Sequence, residues 1–255
     1  MTVSLLTRED FTPKSFEEAA RHFARKTPLT SEAFERLSNL NRARAFRIAG
    51  VDKLTLVQRA RNLVRRGIRE GTDYGKVQRQ LLLLFDAEKL EAPAPHRLQA
   101  MFRQNTMTAY SQARNEVLRD PEVLEQFPYW KYLTVGNGVA GVNNVRATHA
   151  ALHGLVFRAD DPFWNQYDPP WEYGCRCTKV ALTPGQVLDR GIEVRDLSYV
   201  QTQVTVSGHA VPGIQPNPDF AFRRDPFDTS FFGPSLDADL QQLKRDYERQ
   251  ANEQS

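Results

Sequence analysis

The sequence has 255 residues, of which 40% are hydrophobic and 25% charged, with a formal net charge of +3 and a mean hydropathy of -0.55. These values are ordinary for a globular protein of one large or two modest domains. No apolar run approaches the ~20 residues of a membrane span, and two cysteines exclude a disulfide scaffold. The N-terminus lacks a basic region followed by an apolar one, so we expect no signal peptide and a reducing cytoplasm.

Positive charge is concentrated in one segment. Residues 42–79 contain eleven Lys or Arg and three acidic residues, a local balance of +8. This asymmetry favours an anionic partner, either nucleic acid or an acidic protein face, whereas the alternative is a solvated helical face. Arginines recur every four residues at positions 61, 65 and 69, which places them on one strip of a helix. The candidate contact residues are Arg59, Arg61, Arg65, Arg66 and Arg69.

The first ~120 residues show helical patterns. Ser15 and Glu18 have the spacing of a capping box, and Thr30 or Ser31 is the expected cap of a second helix that runs to Gly50. Further helices are predicted over 52–69 and up to residue 85, and a long one ends before Pro121. The Pro-punctuated stretch "EAPAPHR" predicts a boundary, so that residues 1–92 form an N-terminal helical region.

The sequence pattern changes after residue 128. "YWKYLTV", "LVFRA" and "GCRCTKVALT" predict strands, and "VRATHAALHG" predicts a short helix that Gly154 ends. "DDPFWNQYDPPW" predicts a stiff loop without secondary structure, anchored by Phe163, Trp164 and Trp171. The predicted fold is α+β: a mostly helical N-terminal half, then a small antiparallel-sheet module with one helix over 93–185. An extended arm and an amphipathic helix capped by Ser235 complete residues 186–255.

Both cysteines and two of the five histidines lie within residues 149–177. On a helix His149 and His153 project to the same side, and on a strand Cys175 and Cys177 share one face. Four such ligands predict one structural zinc site of the Cys2His2 type. The alternatives are that the cysteines pack as small apolar groups while His149 hydrogen-bonds locally, or that they form a disulfide, which is strained at this separation.

Catalytic chemistry is not indicated. His149 and His153 lack the glutamate of an H-E-x-x-H motif, and the Gly-rich "GNGVAG" is not followed by the Lys-Ser/Thr of a phosphate-binding loop. No nucleophile elbow is present, although Cys175 and His149 are an alternative pair of nucleophile and base. We therefore predict no catalytic residues and no enzyme activity.

The order and spacing of these residues resemble the signature of the phage Mu F-like head morphogenesis family, whose members are minor head proteins. The matching positions are Arg146-x-x-His149, Gly154, Asp161-Pro162-Phe163-Trp164, Pro169-Pro170 and Cys175-Arg176-Cys177. The helix "FRQNTMTAYSQAR" and the N-terminal helical segments are also similar, so the resemblance covers about residues 11–185.

The resemblance implies a non-enzymatic virion protein of the phage head, encoded by a phage or prophage and present in the host cytoplasm during assembly. It implies association with the portal protein and a role in packaging or delivering DNA, with scaffolding or capsid protein as further partners and no membrane. Among the candidate ligands it carries over His149, Cys175 and Cys177, whereas His153 lies at a variable position. The competing hypotheses are a nuclease or toxin-like enzyme built on the His/Cys module and a free DNA-binding protein.

Overall fold

A computed structural model describes residues 13–134, 145–206, 209–210, 216–217, 220 and 235–253. The chain forms two compact units. The first comprises Met1–Ala113 and Asp225–Ser255, and the second comprises Arg114–Arg224. Helices predominate in the first unit and a small sheet lies in the second, which confirms the predicted α+β class. The three-part division of the sequence stays a prediction.

The first unit is built from helices that bury one apolar face each. Its elements are α1 (Pro13–Ala24), β1 (Thr27–Pro28), α2 (Ser31–Glu35), α3 (Asn39–Ala43), β2 (Ala45–Phe46), α4 (Leu54–Arg69), α5 (Tyr74–Ala87) and the N-terminal part of α6 (Pro95–Leu118). The two short strands pair in parallel. Gly67 of α4 lets α5 and α6 approach, because a Cβ at this position would lie 2.7 Å from Val77 Cγ2 and 3.4 Å from the Phe102 ring. The core of this unit therefore depends on helix packing.

The single helix predicted between Thr30 and Gly50 is wrong. Thr30 Oγ1 accepts a hydrogen bond from the Ala33 amide and caps α2, as predicted, but Ser38 then caps a separate helix, α3. A hydroxyl that accepts from a backbone amide replaces the helical acceptor and favours an N-terminus over a helix interior. The predicted cap at Ser15 is also wrong, since α1 already begins at Pro13.

The second unit contains a four-stranded mixed sheet. Its elements are the end of α6, α7 (Pro121–Gln126), β3 (Tyr129–Leu133), α8 (Ala147–Ala151), β4 (Val156–Arg158), α9 (Phe163–Tyr167), β5 (Thr178–Leu182), α10 (Pro184–Asp189), β6 (Val194–Arg195), α11 (Leu197–Thr202), β7 (Thr205–Val206) and β8 (His209–Ala210). The strand order is β5-β3-β4-β6. β3 is antiparallel to both neighbours, and β6 joins β4 in parallel.

Three predicted strands are confirmed as β3, β4 and β5, but Cys175 and Cys177 precede β5 and are not on it. The loop predicted to have no secondary structure contains α9, although Phe163, Trp164 and Trp171 are buried as expected. The elements from α10 to β8 include residues that were predicted as an extended arm, and "GNGVAG" and most of 211–234 lie outside the described residues.

A core rich in aromatic side chains stabilises the second unit. Phe163 stacks on Phe157 with ring centroids 3.7 Å apart, and Trp164 meets Trp130 edge to face at 5.4 Å. The indole nitrogen of Trp164 donates to the Arg158 carbonyl at 2.9 Å. Such packing holds the irregular chain between β4 and β5 against the sheet.

The last helix is α12 (Ser235–Glu253). Leu243 and Tyr247 pack against a buried cluster of Leu29, Ala33 and Ala45. The predicted C-terminal amphipathic helix is therefore confirmed and packs on its own unit. Across the described ranges, none of the helices combines the length and apolar character that a membrane span requires.

Candidate metal centre

Three predicted ligands come together in the second unit. The Nδ1 atom of His149 lies 3.3 Å from the Cys177 sulfur and 3.7 Å from the Cys175 sulfur. One candidate ligand atom from each residue lies within 4.8 Å of the others, and all three side chains are buried. Both cysteines are free thiols. His149 comes from α8, whereas the cysteines lie on the extended segment immediately before β5.

The local backbone explains how α8 presents its histidine. The helix ends after one turn, and Gly154 follows with a φ of +85°, a conformation that glycine adopts without strain. The Gly154 amide then donates to the Tyr132 carbonyl at 2.8 Å, which ties the end of this turn to β3. His149 is thereby held beside the cysteine segment.

The opposite ring nitrogen of His149 meets a carboxylate. Nε2 lies 2.9 Å from Glu172 Oε2. Arg146, one helical turn before His149, lies 3.5 Å from the same carboxylate and donates to the Tyr173 carbonyl at 2.8 Å. The imidazole also stacks on Trp171, with centroids 3.9 Å apart. The ring is thus fixed in both plane and direction.

The hydroxyl of Tyr132 completes the surroundings of Cys177. Its oxygen accepts a hydrogen bond from the Trp171 indole at 2.7 Å, so its own hydrogen is available to the Cys177 sulfur, with which it also bonds. Burial is the main reason that the pKa of Tyr132 is raised. This phenol therefore stays protonated and acts as a donor.

The pKa values of the two thiols are shifted in opposite directions. The pKa of Cys175 is lowered, chiefly because the Cys177 thiol donates a hydrogen bond to its thiolate, and burial opposes this effect. The pKa of Cys177 is raised, because its proton is held in that hydrogen bond and because burial disfavours a second thiolate. A cation is what would stabilise both thiolates together.

His153 lies outside this cluster. Its Nδ1 accepts a hydrogen bond from the Thr134 amide at 3.0 Å and lies 2.9 Å from the Thr134 hydroxyl. Burial, followed by repulsion from Lys131, lowers the pKa of His153. The structure therefore brings together three of the four candidate ligands.

The five candidate contact arginines lie on α4 in the first unit, and they differ in what they touch. Arg65 and Arg66 are exposed; Arg66 donates to Gln80 at 3.4 Å. Arg59 pairs with Glu88, and Arg69 lies 3.4 Å from Glu70. Arg61 is partly buried and donates to the Ala24 carbonyl, and burial is the main cause of its lowered pKa.

Sequence reasoning missed the residues that support the cluster, chiefly Glu172 and Tyr132. The sequence motif includes Arg146 and His149, but it does not indicate that both contact the carboxylate of Glu172. Its position three residues before Cys175 is the one available signal, since a turn at 172–174 returns Glu172 toward the cysteines. Tyr132 carried no signal, because its role depends on the pairing of β3 with β5.

Comparisons with known proteins agree on one family. Residues 58–180 match the sequence model of a family described as Phage Mu protein F like protein. The Mu-like prophage FluMu F protein of Haemophilus influenzae is 32% identical over 178 residues, which cover 65% of this chain and 41% of that protein. A protein of Escherichia phage Mu named as capsid assembly protein F is 29% identical over 225 residues, covering 81% of this chain and 49% of that protein. The chain thus spans less than half the length of each of these relatives, and no solved structure gives a significant match.

Proposed function

We propose, from the match of residues 58–180 to the Phage Mu F-like family, that the protein is a minor head protein of a tailed phage or prophage. It acts in capsid assembly, first in the host cytoplasm and then as part of the virion head. The family match is the observation that carries this proposal.

Two relatives support the assignment. The phage Mu protein that aligns with 81% of this chain is named for capsid assembly, and the Haemophilus protein is named as a prophage F protein. The family match begins at residue 58, so it includes most of α4, together with α5 and α6, as well as the His/Cys module.

The geometry of the His/Cys cluster supports a non-enzymatic role. A hydrolytic metal site needs an acid or base beside the metal-bound water. Glu172 is the carboxylate that contacts the cluster, and it bonds to Nε2, on the opposite side of the imidazole from the sulfurs. In this position it orients the ring and does not reach a water held among the three ligand atoms.

The exposed arginines of α4 support contact with an anionic partner in the head. Arg65 and Arg66 are exposed, whereas Arg59 and Arg69 lie beside carboxylates and Arg61 is partly buried, so Arg65 and Arg66 are the residues of this basic face best placed for the contact. Guanidinium groups bind phosphates without regard to sequence, and they bind carboxylates of an acidic protein surface equally well. We infer that this face contacts packaged DNA and that the protein associates with the portal.

This proposal is tested by the protein composition of phage particles and by binding of the chain to portal protein. Mass spectrometry of purified proheads and virions is expected to detect the chain, and portal protein is expected to retain it in a pull-down. An Arg65→Glu/Arg66→Glu variant separates contact through the basic face from contact elsewhere. Absence from both particles and portal complexes contradicts the proposal. Cleavage of nucleic acid that Cys177→Ser abolishes without unfolding would favour the nuclease hypothesis instead.

A further inference from the structure

We propose that His149, Cys175 and Cys177 bind one zinc ion through the Nδ1 atom and the two sulfurs, and that Glu172 orients the histidine. Tetrahedral zinc, with Zn–S of about 2.3 Å and Zn–N of about 2.0 Å, separates its ligand atoms by about 3.5 to 3.8 Å. The nitrogen–sulfur distances of 3.3 and 3.7 Å are close to that range. The two sulfurs lie within 4.8 Å of each other, so an ion requires them to approach by at most about 1 Å.

The hydrogen bonding of His149 specifies which nitrogen faces the ion. A carboxylate only accepts hydrogen bonds, so Glu172 requires the proton of the neutral imidazole to reside on Nε2. Nδ1 then presents its lone pair to the two sulfurs. Metal-bound histidines regularly donate their other N–H to a carboxylate in this way, which fixes the tautomer and the ring direction. Arg146 holds the carboxylate in turn.

The sulfurs are poor partners for a buried imidazole nitrogen unless an ion lies between them. A thiol is a weak donor, and a buried polar atom needs a strong partner. His149 is 3% exposed, and its Nδ1 faces the two cysteines inside an aromatic core. A shared cation satisfies all three groups, and Tyr132 supplies a hydrogen bond to one thiolate.

The ligand set has three protein members, and solvent supplies the fourth position. His153 is excluded, because its Nδ1 is bonded to the amide and hydroxyl of Thr134. The ion joins α8 to the segment before β5, and closing this loop adds stability to a unit with a small sheet.

The first experiment measures metal content. The full chain is purified with a reducing agent, dialysed against metal-free buffer and analysed by mass spectrometry for metals. Wild type and the control His153→Ala are expected to retain about one zinc per chain, whereas Cys177→Ser and His149→Ala retain about a tenth or less. A metal-free wild type that also fails to take up added zinc overturns the proposal, as does equal content in Cys177→Ser.

The second experiment does not depend on how well the ligand variants fold. Cobalt added to the wild-type apoprotein is expected to give a sulfur-to-cobalt charge-transfer band and the visible bands of a tetrahedral ion. Glu172→Gln keeps all three ligands and is expected to weaken zinc binding about 10- to 100-fold in competition with a chromophoric chelator. If Glu172→Gln binds zinc as tightly as the wild type, the proposed role of Glu172 is wrong. If cobalt gives an octahedral spectrum without sulfur-to-cobalt bands, the proposed metal site is wrong. Neither result bears on head assembly.

Discussion

Lys179 donates to both carboxylate oxygens of Asp168, at 2.7 and 2.8 Å, and the two side chains are only 4% and 2% exposed. Asn115 of α6 donates to the same carboxylate at 2.8 Å. The ammonium group also lies 4.2 Å from the centroid of Trp130 and 5.1 Å from that of Trp164. A buried ion pair thus joins α6, the segment after α9 and β5 inside the aromatic core.

Asp168→Ala is expected to lower the free energy of unfolding of the second unit by about 3–5 kcal/mol, because it leaves the Lys179 charge buried without its partner. Urea unfolding followed by tryptophan fluorescence measures this unit selectively, since all three tryptophans (Trp130, Trp164 and Trp171) lie in it. The matched control is Asp160→Ala, which removes an exposed pair with Arg158 and is expected to cost about 0–1 kcal/mol. Equal losses in both variants would contradict the prediction.

Phe163→Ala is expected to destabilise the same unit by about 3–5 kcal/mol, because it opens a cavity among rings that already touch. Phe163 is fully buried and stacks on Phe157 while meeting Trp164 at 4.9 Å. The measurement is again urea unfolding by fluorescence. Leu188→Ala is the control, because this side chain is 81% exposed and should change stability by no more than about 0.5 kcal/mol. A small effect of Phe163→Ala would show that the loop between β4 and β5 contributes little to the core.

Helices and strands with a clear apolar pattern were predictable from the sequence. The stripe over 52–69 became α4, and the β-branched and aromatic runs became β3, β4 and β5. Local signals failed where tertiary contacts decide the outcome. Nothing in the residue pattern separates a helix over 31–50 from two short helices joined by a turn, because Thr30 and Ser38 are both suitable caps. The parallel pairing of β6 with β4 likewise depends on distant residues.

The candidate site was predictable in its residue types more than in its geometry. His149, Cys175 and Cys177 were grouped by their spacing, and the structure brings them together. The predicted placement of both cysteines on one face of a strand is wrong, because they precede β5. Helical spacing predicts that His153 lies beside His149. The helix α8 ends at Ala151, however, so His153 lies beyond it and contacts Thr134 instead.

Lys26→Met is expected to raise the stability of the first unit at neutral pH. Burial lowers the pKa of Lys26 from 10.5 to about 8, so the folded state binds this proton less tightly than the unfolded chain does. The free energy of unfolding of the wild type should therefore rise as the pH increases from about 8 to 10.5, and it is lowest below that window. The variant lacks the desolvated ammonium group and should lose this rise.

Circular dichroism during urea unfolding at pH 7, 9 and 10.5 provides the measurement for Lys26→Met. The midpoint of the variant is expected to exceed that of the wild type at pH 7, and the gap should close toward the highest pH. Lys76→Met is the control, because Lys76 is exposed on the same unit and should give no such change. A gap that is independent of pH would mean that the methionine acts through packing alone.

Arg65→Gln/Arg66→Gln is expected to weaken DNA binding by the full chain and to reduce its dependence on salt. Each phosphate contact releases condensed counterions, so the loss of two contacts should lower the slope of log affinity against log salt by about 2. Fluorescence anisotropy with duplexes of two unrelated sequences measures both quantities. The two duplexes should lose affinity equally, since backbone contacts do not read bases.

Two further variants make the DNA experiment specific to the α4 face. Arg190→Gln removes an exposed arginine of the second unit and is expected to leave the salt slope unchanged. Arg61→Gln removes the hydrogen bond to the Ala24 carbonyl, so it should lower stability as well as affinity. An equal loss of slope for Arg190→Gln would mean that overall charge governs binding. If the wild type shows no salt-dependent affinity for either duplex, the proposed DNA contact is wrong, and an acidic protein surface becomes the expected partner of the basic face.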